Sequence, residues 1–308
     1  MSLIANIQLD ALVFVFRGIS KLNDKNAINK GFGEIAESEA SSRDHQTGER
    51  EFSSGGYQRS IKITLPNISS DADLKFLRIY IAPFDSKKGF VKVALMKHPY
   101  TKSDYKFVNR FLKYLFKYCK TNYLSAQHIK IKKVDVAIDR KVFITNLWFN
   151  NPRTQVAMHV YGKSGELETI YLGNLRATLR IRIYNKAAQM KSKRHKGKIQ
   201  HALLRVEFSI RPDCSIDELF DVIDIEAKLK KFAIYKAKAI REAGIFSDEV
   251  CSLIDYVGIK SILQSMNQSS RRKALKEMKP FRSNLISKEK LESNLESLRK
   301  QLKYLYKK

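Results

Sequence analysis

The sequence predicts an α+β protein in which a mostly antiparallel central sheet with one open face is followed by a C-terminal helical region. Three observations support this class. Apolar runs of strand length fill the first hundred residues, strict apolar–polar alternation marks three segments in the middle of the chain, and helical spacing takes over after Ser215. Alternation places one side of a strand on a core and leaves the other side accessible.

The charge of the chain is its most unusual global property. The 308 residues carry a formal net charge of +27, which favours a partner dense in negative charge, either nucleic acid or an acidic membrane surface. No apolar run is long enough to span a bilayer, and the first residues lack a signal-peptide pattern. We therefore expect nucleic acid as the partner, no membrane association and a cytoplasmic location. The three cysteines have no metal-binding spacing and are expected to be reduced thiols.

The N-terminal part is predicted to consist of strands and one helix. Strands are expected over 7–16, 58–65, 74–82 and 89–97. The polar tract 18–56 is predicted to be a mobile loop at the edge that faces nucleic acid, with short structured pieces. A helix is predicted over 103–120, because apolar residues recur there at helical spacing. Its opposite side carries cations without an interspersed acid, which favours phosphate contact: Lys106, Arg110, Lys113, Lys117 and Lys120.

Three alternating segments, 131–140, 179–186 and 203–211, carry the candidate chemistry. If they share a sheet, its open face holds four groups that suit phosphodiester chemistry inside a rim of Arg and Lys: Asp135, Asp139, Glu207 and the Tyr184 hydroxyl. Carboxylates that converge on an open face favour Mg²⁺ or Mn²⁺, and a metal beside a hydroxyl can act on a phosphate. The alternative is that these acids form ordinary cross-strand pairs with neighbouring arginines.

Further cations surround the Tyr184 strand. A hairpin is predicted from strands at 155–161 and 167–172, and a basic loop is predicted over 190–200. The loop directly follows the Tyr184 strand and would lie at the edge that carries the tyrosine, which favours contact with a DNA backbone. The candidate contacts in this region are Arg176, Arg180, Lys193, Arg194 and Lys196.

The chain becomes helical after Ser215, which forms a capping-box pattern with Glu218. A helix is predicted from there to about residue 244, followed by a helical pair over 247–256 and up to 266. A helix-turn-helix is one interpretation of that pair. Arg271 and Arg272 belong to a basic junction that would contact DNA. The last helix is predicted to begin near residue 287, and its leucine repeat would either pack on its own domain or pair with a second subunit. The repeat comprises Leu291, Leu295, Leu298, Leu302 and Leu305.

The order of these motifs resembles the rolling-circle replication initiators of small bacterial plasmids, the Rep_trans family, to which relaxases of some integrative conjugative elements are related. The resemblance rests on Val-Asp-Val-Ala-Ile-Asp at 134–139, on Tyr-Leu-Gly at 171–173 with Arg-Ile-Tyr-Asn-Lys at 182–186, and on Leu-Arg-Val-Glu at 204–207. It covers about 134–210 specifically and the N-terminal strands loosely. The family's Gly-Ser-x-x-Ser is Gly-Asn-Leu-Arg-Ala here, so both serines are absent. A relaxase-like sheet without the paired histidines of the best-known tyrosine nucleases is implied.

The resemblance implies a mechanism and an organisation. Tyr184 would be the nucleophile, favoured as the phenolate by Arg182 and Lys186, and Mg²⁺ or Mn²⁺ would be held by Glu207 with one or both of the aspartates on the first central strand. Attack on a DNA phosphate would give a 5′-phosphotyrosine and a free 3′-hydroxyl. Residues 1–212 would form the nicking domain and 213–308 a region for origin binding or dimerisation. The implied partners are origin DNA with a single-stranded or cruciform nick site, a host helicase and a second copy of the chain.

Two alternatives share the same sequence features. A conjugative relaxase would use the same chemistry at a transfer origin, and the genetic neighbourhood, not the sequence, separates it from a replication initiator. A sequence-specific DNA-binding protein without catalysis would use the acids only to pair with arginines.

Overall fold

The structure is a computed structural model. It describes residues 6–41, 56–65, 76–85, 87–96, 100–151, 157–163, 165–174, 177–192, 202–219, 232–283, 293, 296, 299–300 and 302–306. It shows the predicted class, with a large antiparallel sheet and C-terminal helices. The strands are β1 (Asn6–Phe16), β2 (Tyr57–Thr64), β3 (Phe76–Pro83), β4 (Val91–Met96), β5 (Ile129–Arg140), β6 (Leu147–Asn150), β7 (Ala157–Tyr161), β8 (Leu167–Leu172), β9 (Leu179–Asn185), β10 (Leu204–Ile210), β11 (Cys214–Ser215) and β12 (Ala233–Lys236).

Seven α-helices accompany these strands in the described residues. They are α1 (Leu22–Ser41), α2 (Lys102–Phe116), α3 (Lys186–Ser192), α4 (Ala237–Glu242), α5 (Asp248–Val257), α6 (Ile259–Ser265) and α7 (Gln268–Met278). None of them is long and apolar enough to cross a membrane.

The chain forms two compact units that interleave along the sequence. The N-terminal unit comprises Gln8–Val136, Ile210–Ile223 and Ser293–Lys308, and the central unit comprises Met1–Ile7, Ala137–Ser209 and Asp224–Glu292. Strand β5 passes from one unit to the other. The division at residues 212 and 213 predicted from the sequence is therefore a functional prediction, and it does not coincide with a boundary between compact units.

The N-terminal unit is a sheet with two helices on one face. Its strand order is β2-β3-β4-β1-β5, and β11 pairs with β5. Alternate residues of the first four strands are buried beneath the helices, as the predicted strands require. Helix α2 begins at a capping box between Thr101 and Asp104, and it buries the predicted apolar stripe.

Helix α1 corrects the prediction for the polar tract. Residues 22–41 are helical, whereas a mobile loop was predicted over 18–56; residues 42–55 lie outside the described part. Ile28, Phe32 and Ile35 recur at helical spacing and expose 0, 0 and 3% of their surface. Gly31 lies where α1 approaches α2, and a Cβ at this position would be 2.6 Å from the Leu115 carbonyl oxygen. The packing of this stripe stabilises a helix whose own composition disfavours it.

The C-terminal leucines contact their own chain where they are described. Leu302 and Leu305 are buried in the N-terminal unit, and Asn109 Nδ2 of α2 donates to the Leu305 carbonyl oxygen at 2.6 Å. For these two residues, packing on their own unit is confirmed. Leu291, Leu295 and Leu298 lie outside the described residues.

The central unit combines the order β10-β9-β8-β7 with the pair β6-β12 and the helices α4 to α7. Its apolar core gathers Trp148, Ile240, Ile254 and Met278 among other residues. The predicted helical pair is confirmed as α5 and α6. Only Gly258 separates them, which is shorter than the turn of a helix-turn-helix.

Two predictions for the C-terminal half are corrected. Ser215 and Glu218 form the reciprocal hydrogen bonds of the capping box, but residues 233–236 form strand β12 instead of continuing a helix to residue 244. β12 pairs with β6, because Ala233, Ile234 and Tyr235 are apolar enough to join the core from a strand. The predicted basic junction at 269–273 belongs to α7, which begins at an N-cap formed by Asn267.

Candidate active site and nucleic-acid interface

Tyr184 is the second-last residue of β9 and belongs to the β8–β9 hairpin of the central unit. In the pairing of β8 with β9, Thr169 is opposite Tyr184 and Tyr171 is opposite Arg182. Ile183 is fully buried on the other side of β9, so the predicted alternation is confirmed. Tyr184 itself exposes only 5% of its surface. The tyrosine therefore sits in a recess rather than on an accessible strand surface.

The recess beside Tyr184 is a concavity of about 230 Å³. Its lining is rich in polar groups, with one further phenol, two amides, a hydroxyl and a carboxylate. The lining residues are Glu168, Thr169, Tyr171, Arg182, Tyr184, Asn185, Ala188 and Gln189. Such a lining suits a polar ligand group with hydrogen-bond donors and acceptors.

Arg182 connects the recess to Glu207. Its Nη2 donates to Glu207 Oε2 at 2.6 Å, and its guanidinium carbon is 4.6 Å from the centroid of the Tyr184 ring. Burial lowers the pKa of Arg182, but the charges of Glu207 and Tyr184 and the hydrogen bond to Glu207 raise it more, so the net shift is upward. Arg182 is therefore a permanent cation held over the phenol.

Asp139 is held by a cation that lies two residues before Glu207. Arg205 Nε donates to Asp139 Oδ1 at 2.6 Å and Arg205 Nη2 donates to Oδ2 at 2.7 Å. This two-pronged geometry engages both carboxylate oxygens. Arg205 exposes 6% of its surface, so the pair is largely withdrawn from water.

The predicted open face is largely buried, and each of its acids has a basic partner. Glu207 exposes 7% and Asp135 4% of their surfaces. Asp135 belongs to the N-terminal unit, where Lys133 Nζ lies 2.6 Å from its Oδ2. The alternation assigned these side chains to one face, but it contained no information on what covers that face.

The three acids do not fit a divalent metal as they stand. In the part of the chain that the structure describes, no group of three or more His, Cys, Asp or Glu side chains is placed to hold a metal ion. A metal would have to replace Arg182, Arg205 or Lys133 as the partner of the acid that it binds. We therefore derive no step through a metal.

Lys186 follows Tyr184 at the first residue of α3. Its Nζ lies 3.0 Å from Gln189 Oε1, within the same helix turn, and its backbone N–H donates to the Leu203 carbonyl oxygen. The start of the predicted basic loop is thus helical up to residue 192. Lys193, Arg194 and Lys196, and likewise Arg176, lie outside the described residues.

The remaining predicted DNA contacts fall on separate elements. The Arg180 guanidinium is 4.3 Å from the centroid of the Tyr171 ring, and α7 carries an exposed Arg272 beside a half-buried Arg271. The basic side chains of the predicted stripe are exposed, but the helix ends at Phe116 instead of residue 120. Lys106, Arg110 and Lys113 lie on α2, and Lys117 and Lys120 follow its end. The stripe has an acidic neighbour that the helix sequence alone did not reveal, because Glu34 of α1 forms an ion pair with Lys117.

Sequence reasoning missed most of the recess. Thr169 and Tyr171 were assigned only to a hairpin strand. The register shows that Thr169 lies opposite Tyr184 and Tyr171 opposite Arg182, so both share the face of Tyr184. No sequence pattern assigned Asn185 or Gln189 to a site, although both line the recess. The amide of Asn185 caps the following turn, with its Oδ1 accepting from the Ala188 N–H at 3.1 Å.

No family model matches the chain, and no curated protein matches it. Among solved structures, the chain is similar to a rolling circle replication initiator protein from Geobacillus stearothermophilus, with 18% sequence identity and a TM-score of 0.39, over 75% of this chain and 86% of that one.

Proposed function

We propose that the protein is a DNA nickase of the rolling-circle replication initiator type, with Tyr184 as the nucleophile. The observation that carries the proposal is the arrangement of Tyr184 and Arg182 at one polar recess, with the guanidinium 4.6 Å from the centroid of the phenol ring. A fixed cation beside a hydroxyl favours the phenolate and attracts a phosphate. The net charge of +27 supports a polyanionic substrate.

In the proposed reaction, the Tyr184 oxygen loses its proton and attacks a backbone phosphorus atom of DNA. The new bond joins tyrosine to the 5′-phosphate, and the bond from phosphorus to the 3′-oxygen breaks. That oxygen takes up a proton and becomes a free 3′-hydroxyl. Arg182 would neutralise charge that develops on the phosphate, and the rigid strand would hold the phenol in line. Lys186, the first residue of α3, would add positive charge near the recess.

Metal dependence is a separate proposal that comes from the resemblance in sequence. Mg²⁺ or Mn²⁺ would supply charge stabilisation at the phosphate, with Glu207, Asp139 and Asp135 as the carboxylates available. The ion pairs of these acids with Lys133, Arg182 and Arg205 favour the alternative role of counterions to these cations. Origin DNA, a helicase and a second copy of the chain are likewise proposed partners.

One rival function has an observation in its favour. A sequence-specific DNA-binding protein without catalysis would need no metal, and the pairs of Asp139 with Arg205 and of Glu207 with Arg182 are what it would show. A conjugative relaxase, in contrast, would share every feature of the recess.

The deciding experiment uses supercoiled DNA from the replicon that encodes the protein, with Mg²⁺, Mn²⁺ or EDTA. Wild type is expected to relax the DNA and to form a covalent adduct, and Tyr184→Phe is expected to form none. Tyr171→Phe is the matched control, because it removes the other phenol of the recess, and it should retain the adduct. Tight binding by wild type without attachment under any metal condition would establish the binding protein instead.

A further inference from the structure

The N-terminal sheet has a second face that the nickase proposal does not use. Its helices cover the face formed by residues such as Ile63, Leu77 and Val93, all fully buried. The residues in between lie on the opposite face, because side chains alternate along a strand. The described residues of this face, which we call the outer face, are Ser60, Lys62, Thr64, Phe76, Arg78, Tyr80, Lys92, Ala94, Met96, Ala11, Val13 and Val15. Ala11, Val15, Tyr80 and Ala94 are buried, so the accessible part of the face is formed mainly by residues of β2 and β3 such as Lys62, Phe76 and Arg78.

The outer face places cations against one another. Lys62 of β2 is directly opposite Arg78 of β3, and Lys92 of β4 is directly opposite Tyr80, the next outer-face residue of β3. Strands β2, β3 and β4 contain no Asp or Glu, and β1 presents only Ala11, Val13 and Val15 here. Like charges opposite each other destabilise a sheet. Lys62 and Arg78 are therefore placed where the phosphates of a polyanion would neutralise both charges.

Aromatic rings alternate with these cations. The Lys62 ammonium is 4.8 Å from the centroid of the Phe76 ring, which is half-buried. The Lys92 ammonium is 4.4 Å from the centroid of the Tyr80 ring and 5.4 Å from that of Tyr57, but these two residues expose only 9% and 4% of their surfaces. Phe76 is therefore the ring that a base could stack upon, and the flexible stem of Lys62 can carry its ammonium from that ring to a phosphate. Burial and the nearby charges of Lys88 and Arg78 lower the pKa of Lys92, in keeping with crowded positive charge.

We infer that the outer face of the N-terminal sheet binds single-stranded DNA through its backbone and its bases. An antiparallel sheet that combines cations with ring faces is a platform on which unpaired bases stack. A duplex would not use it in this way, because its bases are already stacked on each other. The choice of DNA over RNA rests on the proposed nickase function, in which a nick site is exposed as a single strand. The face belongs to the N-terminal unit, whereas Tyr184 belongs to the central unit.

The test measures binding of a short fluorescein-labelled oligo(dT) by fluorescence anisotropy over a range of salt concentrations. All proteins carry Tyr184→Phe in the full chain, so that no covalent step interferes. The triple variant Lys62→Gln, Arg78→Gln, Lys92→Gln is expected to reduce the slope of log K against log salt by about 2, at roughly 0.7 for each lost contact with a single strand. Affinity at low salt should fall about tenfold or more.

The matched control removes three exposed cations of the central unit, through Lys236→Gln, Lys276→Gln and Lys279→Gln. It lowers the net charge equally and should leave the slope unchanged. An equal loss in the control would overturn the inference, as would an equal loss of affinity for duplex DNA. Tighter binding of oligo(U) than of oligo(dT) would overturn the assignment to DNA.

A second variant tests the rings without changing charge. Phe76→Leu keeps apolar bulk on β3 and should weaken oligo(dT) binding about fivefold or more, with no effect on duplex. The triple cation variant should also melt no lower than its parent, because it removes like-charge opposition; a lower melting temperature would contradict the argument. These measurements do not depend on Tyr184, so failure of the adduct assay and failure of this inference remain distinguishable.

Discussion

Asp139 and Glu207 provide the sharpest test of the site, because the geometry assigns them different roles. Glu207 positions Arg182 over Tyr184, whereas Asp139 neutralises Arg205. We expect Asp139→Asn to affect mainly stability and Glu207→Gln to affect mainly adduct formation. If both instead hold a catalytic metal, the two substitutions would abolish the reaction alike.

The expected magnitudes follow from burial. The Arg205 side chain in the Asp139 pair is 7% exposed, so loss of its counterion leaves a charge that water barely reaches. Removing one partner of such a pair costs about 3–5 kcal/mol, and the amide of Asn places the estimate at about 3 kcal/mol. For a chain of this size, that corresponds to a melting temperature lower by roughly 5 °C. The Arg182 side chain is 33% exposed, so Glu207→Gln should cost only about 1 kcal/mol.

The assay combines thermal unfolding with the rate of adduct formation at a temperature where every variant is folded. Glu207→Gln should slow the adduct about tenfold to 100-fold, because the guanidinium is no longer fixed over the phenol. Asp139→Asn should remain within about twofold of wild type. The reasoning is refuted if Asp139→Asn abolishes the adduct while its melting temperature is unchanged, since Asp139 would then act on the substrate or on a metal.

Two further predictions concern single residues of the fold. Gly31→Ala should destabilise the protein by about 2 kcal/mol or more, because its Cβ would lie 2.6 Å from the Leu115 carbonyl oxygen. Gly33→Ala has nothing within 4 Å of its Cβ and should stabilise α1 by about 0.5–1 kcal/mol. Denaturant titration of both variants measures the difference. Lys260 is 6% exposed and its Nζ has no hydrogen-bond partner among the described residues, and burial lowers its pKa below the ordinary 10.5. The unfolded chain therefore binds the proton more tightly than the folded one, and the resulting destabilisation is fully present below the lowered pKa and disappears above about pH 10.5. Lys260→Met should raise the melting temperature at neutral pH and remove that rise of stability with pH, while Lys236→Met, at an exposed position, should change neither; an unchanged pH profile for Lys260→Met would contradict the assignment.

The strands of the central unit were predictable because apolar and polar residues alternate in sequences such as those of β9 and β10. The row of Ile181 and Ile183 indicated a buried side of β9, and the structure confirms it. What could not be predicted is the partner of each charged residue. Asp139 pairs with Arg205 and Glu207 with Arg182, and both pairings depend on the order and register of neighbouring strands. The sequence of one strand contains no information on that register.

The misassigned elements show where local patterns fail. Helix α1 has its apolar residues at helical spacing, but Gly31 and Gly33 lower its intrinsic propensity, and its close packing on α2 was not visible in the sequence. Strand β12 has only four residues, and a sequence this short is equally compatible with the middle of a helix. The recess beside Tyr184 includes Thr169 through a register set by the loop between β8 and β9, part of which lies outside the described residues.

The contact between Asn109 and Leu305 has a consequence for the order in which the protein can assemble during synthesis. The two residues are 196 positions apart in the chain. Helix α2 and the first four strands emerge from a ribosome early and can form from local contacts, but the space that Leu302 and Leu305 fill stays open until nearly the whole chain has been made. Closing so long a loop is entropically costly and slow. A nascent chain therefore exposes the part of α2 around Asn109 until Leu305 has been made, and a chaperone that binds newly made proteins would find its target there.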